Sequence, residues 1–174
     1  VVSEYTERLP SAVTEAVEEA LMDLSPARLS WSKGEADFVA NRRKLDENGK
    51  WAGMGPYTPG LVDRTVPVMR VEDTRGALRA VLFGCACHNV TLGPNNLLIS
   101  ADYAGFARET IEHDFPGATA IYLAGCGADA NTEPRGGKRQ WWQVRRHGES
   151  LACEIGRVLR EDSFTAVHGP LRTA

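Results

Sequence analysis

The sequence lacks a long hydrophobic run, because no stretch approaches the roughly twenty apolar residues needed to span a bilayer. Positive charge is also scarce, with a net charge of -3 and a pI near 5.8. Such a chain has no general attraction to phosphate backbones or anionic lipid. Basic residues cluster only at Lys138-Arg139 and Arg145-Arg146. We therefore expect neither a transmembrane segment nor a nucleic-acid partner.

Cysteine is sparse as well, with four residues in the chain. Cys85 and Cys87 are two positions apart and share one face of a strand, which makes a disulfide between them geometrically poor. Cys126 and Cys153 can pair with them or stay free. The spacings lack the paired cysteines of structural zinc sites. We expect buried thiols that pack as small apolar side chains.

Length and composition indicate one hydrophobic core, since the chain has 174 residues and 43% hydrophobic content. It opens at Val1-Val2-Ser3-Glu4 without a methionine or a signal-peptide pattern. It stops at Ala174, where a new extended segment begins. We expect residues 1–174 to form a single domain that is an incomplete fragment of a larger catalytic domain.

Three stretches have helical periodicity. Apolar residues at three- and four-residue spacing from Leu9 to Leu24 predict an amphipathic helix that packs one face and ends at Ser25-Pro26. Ser100 is expected to cap a second helix that runs to about His113. The last predicted helix runs from 142 to 160.

Strand patterns lie between these helices. Segments 66–71 and 77–87 flank a turn and predict a β-hairpin, whose nearly all-apolar second arm is expected to be central in a sheet. Segment 118–124 predicts another buried strand. Shorter extended segments are predicted at 27–31 and 36–39, and a Gly- and Pro-rich loop that can act as a lid at 45–60. The pattern predicts a three-layer α/β/α fold with a mixed, largely buried sheet.

Polar side chains follow the predicted strands where each strand ends. His88 closes the apolar stretch Phe83 to Cys87, and Asp102, Asp129 and Asn131 come after similar strand-and-turn patterns. Ligands and metals are commonly bound at the carboxyl ends of strands. If the flanking strands are neighbours, these four side chains gather at one edge of the sheet.

Each of these residues also has an ordinary structural explanation. His88 can be a hydrogen-bonded histidine at a strand end. Asp102 can stabilise the first turn of a helix, and Asp129 can form an Asx-turn in the glycine-rich loop. Arg42 can form a surface ion pair. The residues alone leave both interpretations open.

Six segments occur together in the order and spacing of one family. They are 41–43, 60–63, 66–71, 87–92, 99–105 and 125–131, which read NRR, GLVD, VPVMRV, CHNVTL, ISADYAG and GCGADAN. In these segments the chain resembles the neutral/alkaline non-lysosomal ceramidases, most of all bacterial proteins that carry this domain. The resemblance extends roughly from Leu24 to Leu171.

The resemblance implies a zinc-dependent amidase domain that acts on a small-molecule or lipid N-acyl substrate. It implies that His88 is a Zn²⁺ ligand. Asp102 is a candidate to bind the His88 ring and orient it toward the metal. The family's other ligands, a histidine, a glutamate and a tyrosine, come from outside residues 1–174. Family membership also favours secretion or a periplasmic location. A catalytic zinc needs about three protein ligands, so the isolated chain is expected to bind zinc poorly and to catalyse little.

The glycine-rich turn departs from the family pattern. Asn131 stands where the family has its acting serine, and Thr132 replaces a proline. Asparagine has no nucleophilic oxygen, but its amide can hold a carbonyl or orient zinc-bound water. Asp129 and Arg42 are the other candidate catalytic residues, facing the water and a substrate carbonyl or carboxylate. Attack by zinc-activated hydroxide is therefore favoured over an acyl-serine route.

Two other functions are compatible with the sequence. One is a non-catalytic scaffold or ligand-binding module, for which four aromatic residues could supply the surface. The other is a cysteine hydrolase in which His88 serves Cys126 as base. The remaining histidines are expected to be inert, on helix surfaces or in the tail. The aromatic residues are Trp51, Tyr57, Trp141 and Trp142, and the inert histidines are His113, His147 and His168.

Overall fold

A computed structural model describes residues 2–161 and 163–170, apart from the side chain of Arg139. The helices are α1 (Val2–Met22), α2 (Asp102–Asp114) and α3 (Gln140–Arg160), with a 3-10 turn at Gly137–Arg139. The strands are β1 (Ala27–Glu35), β2 (Val39–Asn41), β3 (Arg43–Leu45), β4 (Trp51–Met54), β5 (Thr65–Asp73), β6 (Leu78–Cys85), β7 (Thr119–Ala124), β8 (Ala130–Thr132) and β9 (Thr165–Val167). No helix in these ranges is long and apolar enough to cross a membrane.

The main sheet has five strands in the order β7-β6-β5-β1-β9. Strands β6 and β7 are parallel, with α2 in the connection between them, and the other neighbours are antiparallel. The predicted hairpin is confirmed as β5 and β6, and β6 lies inside the sheet as expected. The sheet is therefore mixed, and the α/β class is confirmed.

One face of the sheet is covered by α2 and α3. Val68 and Phe83 are partners in register and point to this face, where they are fully buried with Ile111 of α2 and Ile155 of α3. The two helices pack closely at Gly148, where an added Cβ would collide with Phe106 and lie 2.8 Å from the carbonyl oxygen of Tyr103. This layer contains the hydrophobic core and fixes the direction of α3.

The opposite face of the sheet is apolar and open. Four side chains lie in one row across it, because the strand register pairs Trp31 with Met69, Met69 with Leu82, and Leu82 with Ile121. A groove of about 550 Å³ runs along this face. Within residues 2–161 and 163–170, helices pack on one face only, so the third predicted layer has no counterpart there.

Two predicted packing arrangements differ from the structure. Helix α1 is longer than predicted at its start, and all its residues are exposed, so neither face packs on the described part of the chain. Strand β7 is an edge strand rather than a buried one, and Ile121 and Leu123 are 41% and 55% exposed. Periodicity identifies an apolar face but not what covers it.

Two local predictions also differ. The segment 45–60 is not all loop, because β3 and β4 form a short hairpin whose turn is held by the Asp46 carboxylate accepting from the backbone N–H groups of Asn48 and Lys50. Helix α2 begins after Ala101, which makes no side-chain cap. Ser100 acts one position earlier, since its hydroxyl accepts from the N–H of Asp102.

His147 is buried rather than on a helix surface. Its Nε2 lies 2.7 Å from the carbonyl oxygen of Pro134, and its ring packs 4.8 Å from that of Phe38. A carbonyl only accepts, so Nε2 carries the proton. His147 therefore has a structural role, tying α3 to the loop after β8.

The four thiols divide into two classes. Cys85 and Cys87 are buried and free, as predicted, and a hydrogen bond to Cys85 together with burial raises the pKa of Cys87. The prediction of buried thiols is wrong for Cys126 and Cys153, which are free but exposed. No disulfide forms among them.

Two thiols per chain are therefore expected to react with iodoacetamide in the native protein, and four after denaturation. Burial keeps the reagent from reaching Cys85 and Cys87, whereas the thiols of Cys126 and Cys153 are exposed to it. Peptide mass spectrometry would locate the label on Cys126 and Cys153. Labelling of Cys85 or Cys87 at a similar rate would contradict the described packing.

Candidate active site

His88 is held at the carboxyl end of β6 by one carbonyl group. Its backbone N–H and its ring Nδ1 lie 3.2 and 3.0 Å from the carbonyl oxygen of Ala130. Because a carbonyl only accepts, Nδ1 carries the proton and the Nε2 lone pair remains available. A backbone carbonyl in this position is a common way of orienting a metal-binding histidine. His88 also forms an isolated parallel bridge with Asn131.

The glycine-rich turn packs against the strand end that carries His88. The N–H of Gly125 donates to the carbonyl of Cys85 at 3.0 Å, and the turn closes with a 3.0 Å bond from the N–H of Ala130 to the carbonyl of Gly127. A Cβ on Gly127 would collide with the Cys87 nitrogen and lie 2.5 Å from the carbonyl carbon of Ala86. Only glycine allows this approach.

Arg42 fastens the same turn from the other side. Its backbone N–H donates to the carbonyl of Asp129 at 2.8 Å, and its Nε donates to the carbonyl of Ala128 at 3.1 Å. Strand β2 just before it pairs with β8, with Ala40 opposite Asn131. The structure thus gives Arg42 two hydrogen bonds to backbone carbonyls of the turn.

Asp129 and Asn131 both lie in this turn but differ in exposure. The Asp129 carboxylate is partly exposed and accepts from Asn41 Nδ2 at 3.4 Å. Asn131 is only 4% exposed. Its carboxamide donates to the Ala130 carbonyl and accepts from Arg135 Nη2, both at 3.2 Å. The side chain that replaces the family's serine is therefore buried and paired in the described chain.

Asp102 begins α2 in a left-handed backbone conformation, with φ of 52°. Its buried carboxylate accepts from the backbone N–H of Leu92 at 2.9 Å and from that of Tyr103 at 2.8 Å. These bonds tie the two ends of the loop between β6 and α2. In the described structure, Asp102 shapes the loop that follows His88, and the ring of His88 is oriented by Ala130.

Two tyrosines, the buried Tyr103 and the partly buried Tyr122, support the strand end next to His88. Tyr103 donates to the carbonyl of Cys87 at 3.0 Å, and its oxygen lies 2.9 Å from that of Tyr122. Burial raises the pKa of the Tyr103 phenol far above its usual range and that of Tyr122 to about 12. Both phenols are therefore neutral donors near pH 7, and they rigidify the backbone next to His88.

His88 and the turn line an open cleft of about 410 Å³. Its other lining residues are Cys87, Asn89, Ala124, Gly125, Cys126, Gly127 and Ala128. The cleft and the groove on the open sheet face adjoin, because both are lined by Ala124, Gly125 and Cys126. A polar edge with His88 thus meets an apolar surface.

The described residues could supply one ligand, His88, to a bound metal. The contact of His88 Nδ1 with the Ala130 carbonyl leaves Nε2 as the ring nitrogen that could bind a metal. Within residues 2–161 and 163–170, no three His, Cys, Asp or Glu side chains cluster closely enough to hold an ion. The donor set in these ranges is therefore incomplete for a catalytic zinc, which takes about three protein ligands.

Two solved structures are similar to this chain in fold. The neutral ceramidase from Pseudomonas aeruginosa matches with a TM-score of 0.69 and 21% identity, over 88% of this chain and 26% of that chain. A structure described as ceramidase complexed with C2 matches with a TM-score of 0.67 and 20% identity, over 87% and 25% of the two chains. This chain has a neutral ceramidase fold.

The predicted resemblance is thus confirmed at the level of the fold. The chain spans about a quarter of the length of these solved structures. No protein-family model matches the sequence, and no curated protein does.

Sequence reasoning missed residues whose contacts hold the turn. Asn41 links β2 to the segment before β5 by donating to the carbonyl of Leu61 at 2.7 Å. Thr91 and Thr132 are fully buried and share a 3.0 Å hydroxyl bond between the loop after His88 and β8. Arg135 pairs with Asn131. A buried hydroxyl pair has no signal in a single sequence. The positions of Arg42 and Arg135 near the polar turn could have suggested that arginine side chains bind it.

NMR of the ring nitrogens should find His88 as the Nδ1-protonated tautomer. The Ala130 carbonyl, 3.0 Å from Nδ1, selects a proton on that nitrogen in the neutral ring. The measurement is the ¹⁵N shift of both ring nitrogens, with His147, whose Nε2 carries the proton, as the reference of opposite tautomer in the same spectrum. A proton on Nε2 of His88 would contradict this site geometry.

Proposed function

We propose that this chain is part of a zinc-dependent hydrolase that cleaves an N-acyl amide bond. The observation that carries the proposal is the His88 ring, whose Nδ1 is bound by the Ala130 carbonyl while Nε2 stays available beside a cleft. Zinc bound by three protein ligands can polarise an amide carbonyl and supply hydroxide near pH 7. His88 is the ligand from this segment, and the others come from the remainder of the polypeptide.

The glycine-rich turn is proposed to position the substrate carbonyl. Its backbone passes directly beside His88, because Ala130 and Asn131 both contact that residue. Arg42 contributes by holding Ala128 and Asp129, and Asp129 is the partly exposed carboxylate that can orient water or an amine. Asn131 stabilises the turn through Arg135, so no acyl-serine intermediate is expected at that position.

An acyl chain is the proposed partner of the apolar groove on the open sheet face. The groove adjoins the His88 cleft, and its lining includes Trp31, Met69, Leu82 and Leu123. Long apolar substituents bind in such surfaces through burial of their area. The same face is also where the third layer of the predicted α/β/α arrangement would pack, leaving a narrower channel beside the turn.

The test is a hydrolysis screen on the full-length protein with N-acyl amides of different chain length and matched O-acyl esters. Release of the free acid from the amides, its loss with a chelator and its recovery with zinc are the expected results. Activity that prefers long acyl chains would support the groove as their site. Absence of amide cleavage across the series would contradict the proposal.

A ligand-binding module without catalysis is the second candidate. The observation in its favour is the burial of Asn131, since a side chain at 4% exposure does not reach a substrate directly. Such a module would bind long-chain amides with the same preference but release no product. Calorimetric binding without turnover in the same screen distinguishes it from the hydrolase.

A cysteine hydrolase remains the third interpretation. Cys126 is exposed and lines the same cleft as His88. With its proton on Nδ1, the His88 ring could accept the proton of the Cys126 thiol only at Nε2. Cys126→Ala in the full-length protein should leave amide hydrolysis unchanged within about twofold if zinc provides the nucleophile. Loss of activity in that variant would favour the thiol.

A further inference from the structure

The carbonyl oxygen of Ala130 accepts hydrogen bonds from three donors at once. The backbone N–H and the ring Nδ1 of His88 lie 3.2 and 3.0 Å from this oxygen. The carboxamide nitrogen of Asn131 lies 3.2 Å from the same oxygen. A carbonyl oxygen has two lone pairs, so the three donors compete for it. The bond to the His88 ring therefore depends on how strongly Asn131 donates.

The peptide that carries this carbonyl is held in place by backbone contacts. The N–H of Ala130 donates to the carbonyl of Gly127 at 3.0 Å, and the next residue, Asn131, lies opposite Ala40 in the pairing of β8 with β2. These contacts aim the carbonyl at His88 without help from any side chain. The side chain of Asn131 therefore affects the strength of the bond to the ring more than its direction.

Arg135 strengthens Asn131 as a donor. Its Nη2 lies 3.2 Å from the carboxamide oxygen of Asn131, which is a side chain only 4% exposed. A hydrogen bond from a charged group is stronger than one between neutral groups, and linked hydrogen bonds polarise one another. The oxygen and nitrogen of an amide are conjugated, so a cation at the oxygen makes the N–H groups better donors. Asn131 thus transmits the charge of Arg135 to the Ala130 carbonyl.

We propose that Arg135 and Asn131 are positioning residues that act through the Ala130 carbonyl to weaken its hydrogen bond with His88 Nδ1. Each donor withdraws electron density from the same oxygen, so a stronger bond from Asn131 leaves a weaker one for the ring. A good acceptor at one ring nitrogen raises the basicity of a histidine that binds a metal through the other. The Arg135–Asn131 pair therefore lowers the donor strength of Nε2.

This assignment gives the buried side chain at position 131 a role without any contact with substrate. A histidine that donates less strongly leaves more of the metal's charge to polarise water or a carbonyl. The step from the ring to a metal rests on the proposed function. The effect of Arg135 and Asn131 on the ring hydrogen bond does not, because all of its parts lie within the described chain.

The experiment is NMR of the proton on His88 Nδ1 in the full-length protein, labelled with ¹⁵N in the histidine rings and treated with a chelator. The signal is assigned by its loss in His88→Asn. Because a stronger hydrogen bond moves this proton downfield, Arg135→Met should shift it downfield. Arg135→Lys keeps a cation and should restore most of the wild-type shift. The matched control, Arg145→Met, removes an exposed arginine that pairs with Glu149 at 2.7 Å and should leave the signal unchanged.

An unchanged or upfield signal in Arg135→Met would overturn the proposal. Asn131→Ala removes the competing donor itself and should shift the signal further downfield. If that buried substitution prevents folding, Arg135→Met still decides, because Arg135 is exposed.

Zinc affinity, measured by competition with a chelator, tests the step from the ring to the metal. Arg135→Met should bind zinc about threefold to tenfold more tightly than wild type, a smaller change than direct removal of a ligand's partner causes. Equal affinities would overturn that step. If no variant binds zinc, the proposed function fails, while a downfield shift in Arg135→Met would still support the effect on the His88 hydrogen bond.

Discussion

Replacing Gly127 with alanine is expected to lower the free energy of unfolding by about 3 kcal/mol. The new Cβ would collide with the backbone nitrogen of Cys87 and lie 2.5 and 2.7 Å from the carbonyl carbon and oxygen of Ala86. Backbone atoms in a strand end cannot rotate away as a flexible side chain can, so the turn must move. Overpacking of this kind costs about 1–3 kcal/mol, and more where the surroundings are rigid.

The matched control is Gly156→Ala in α3. There the added Cβ approaches only the far end of the Arg160 side chain, with its nearest atom at 3.2 Å. A glycine-to-alanine change within a helix stabilises by up to about 1 kcal/mol. Urea denaturation of both variants measures the difference. Equal stabilities would show that the turn does not pack on the end of β6 as described.

Replacing His88 with asparagine should reduce kcat/KM for amide hydrolysis by the full-length protein at least about 10³-fold, or about 4 kcal/mol. The asparagine amide can donate to the Ala130 carbonyl as Nδ1 does, so the local fold is kept. It has no counterpart of the Nε2 lone pair. The loss therefore reports the function of Nε2 rather than the stability of the strand end.

His113→Ala is the control for that measurement. His113 is exposed on α2 and contacts only its neighbour Asp114 among the contacts described. Its removal should change kcat/KM by less than about twofold. Full activity in His88→Asn would remove His88 from the chemistry and favour the binding module.

Much of the fold follows from local sequence patterns. The β5–β6 hairpin was predictable because a polar turn separates two apolar runs, and the inner face of α3 follows from the spacing of Val144, Leu151 and Ile155. Strand β7 was misassigned as buried because both of its faces are apolar. A continuous apolar run looks the same whether a second layer covers it or not. The unpacked state of α1 has the same origin.

The candidate site was predictable in its position but not in its contacts. His88 stands out at a strand end, which is a local signal. Its ring partner Ala130 is 42 residues further along the chain, so the tautomer depends on strand pairing that no local pattern shows. The burial of Asn131 is equally non-local, since it follows from its place opposite Ala40 in the β2–β8 pair and from Arg135.

Zinc content of the full-length protein tests the central claim most directly. Elemental analysis would compare wild type with His88→Asn and His113→Ala after identical purification. The account predicts about one zinc per chain in wild type and in His113→Ala, and a loss of most of it in His88→Asn, because an asparagine lacks the imidazole donor. Zinc at the same level in His88→Asn, or none in wild type, would contradict the assignment of His88 as a metal ligand.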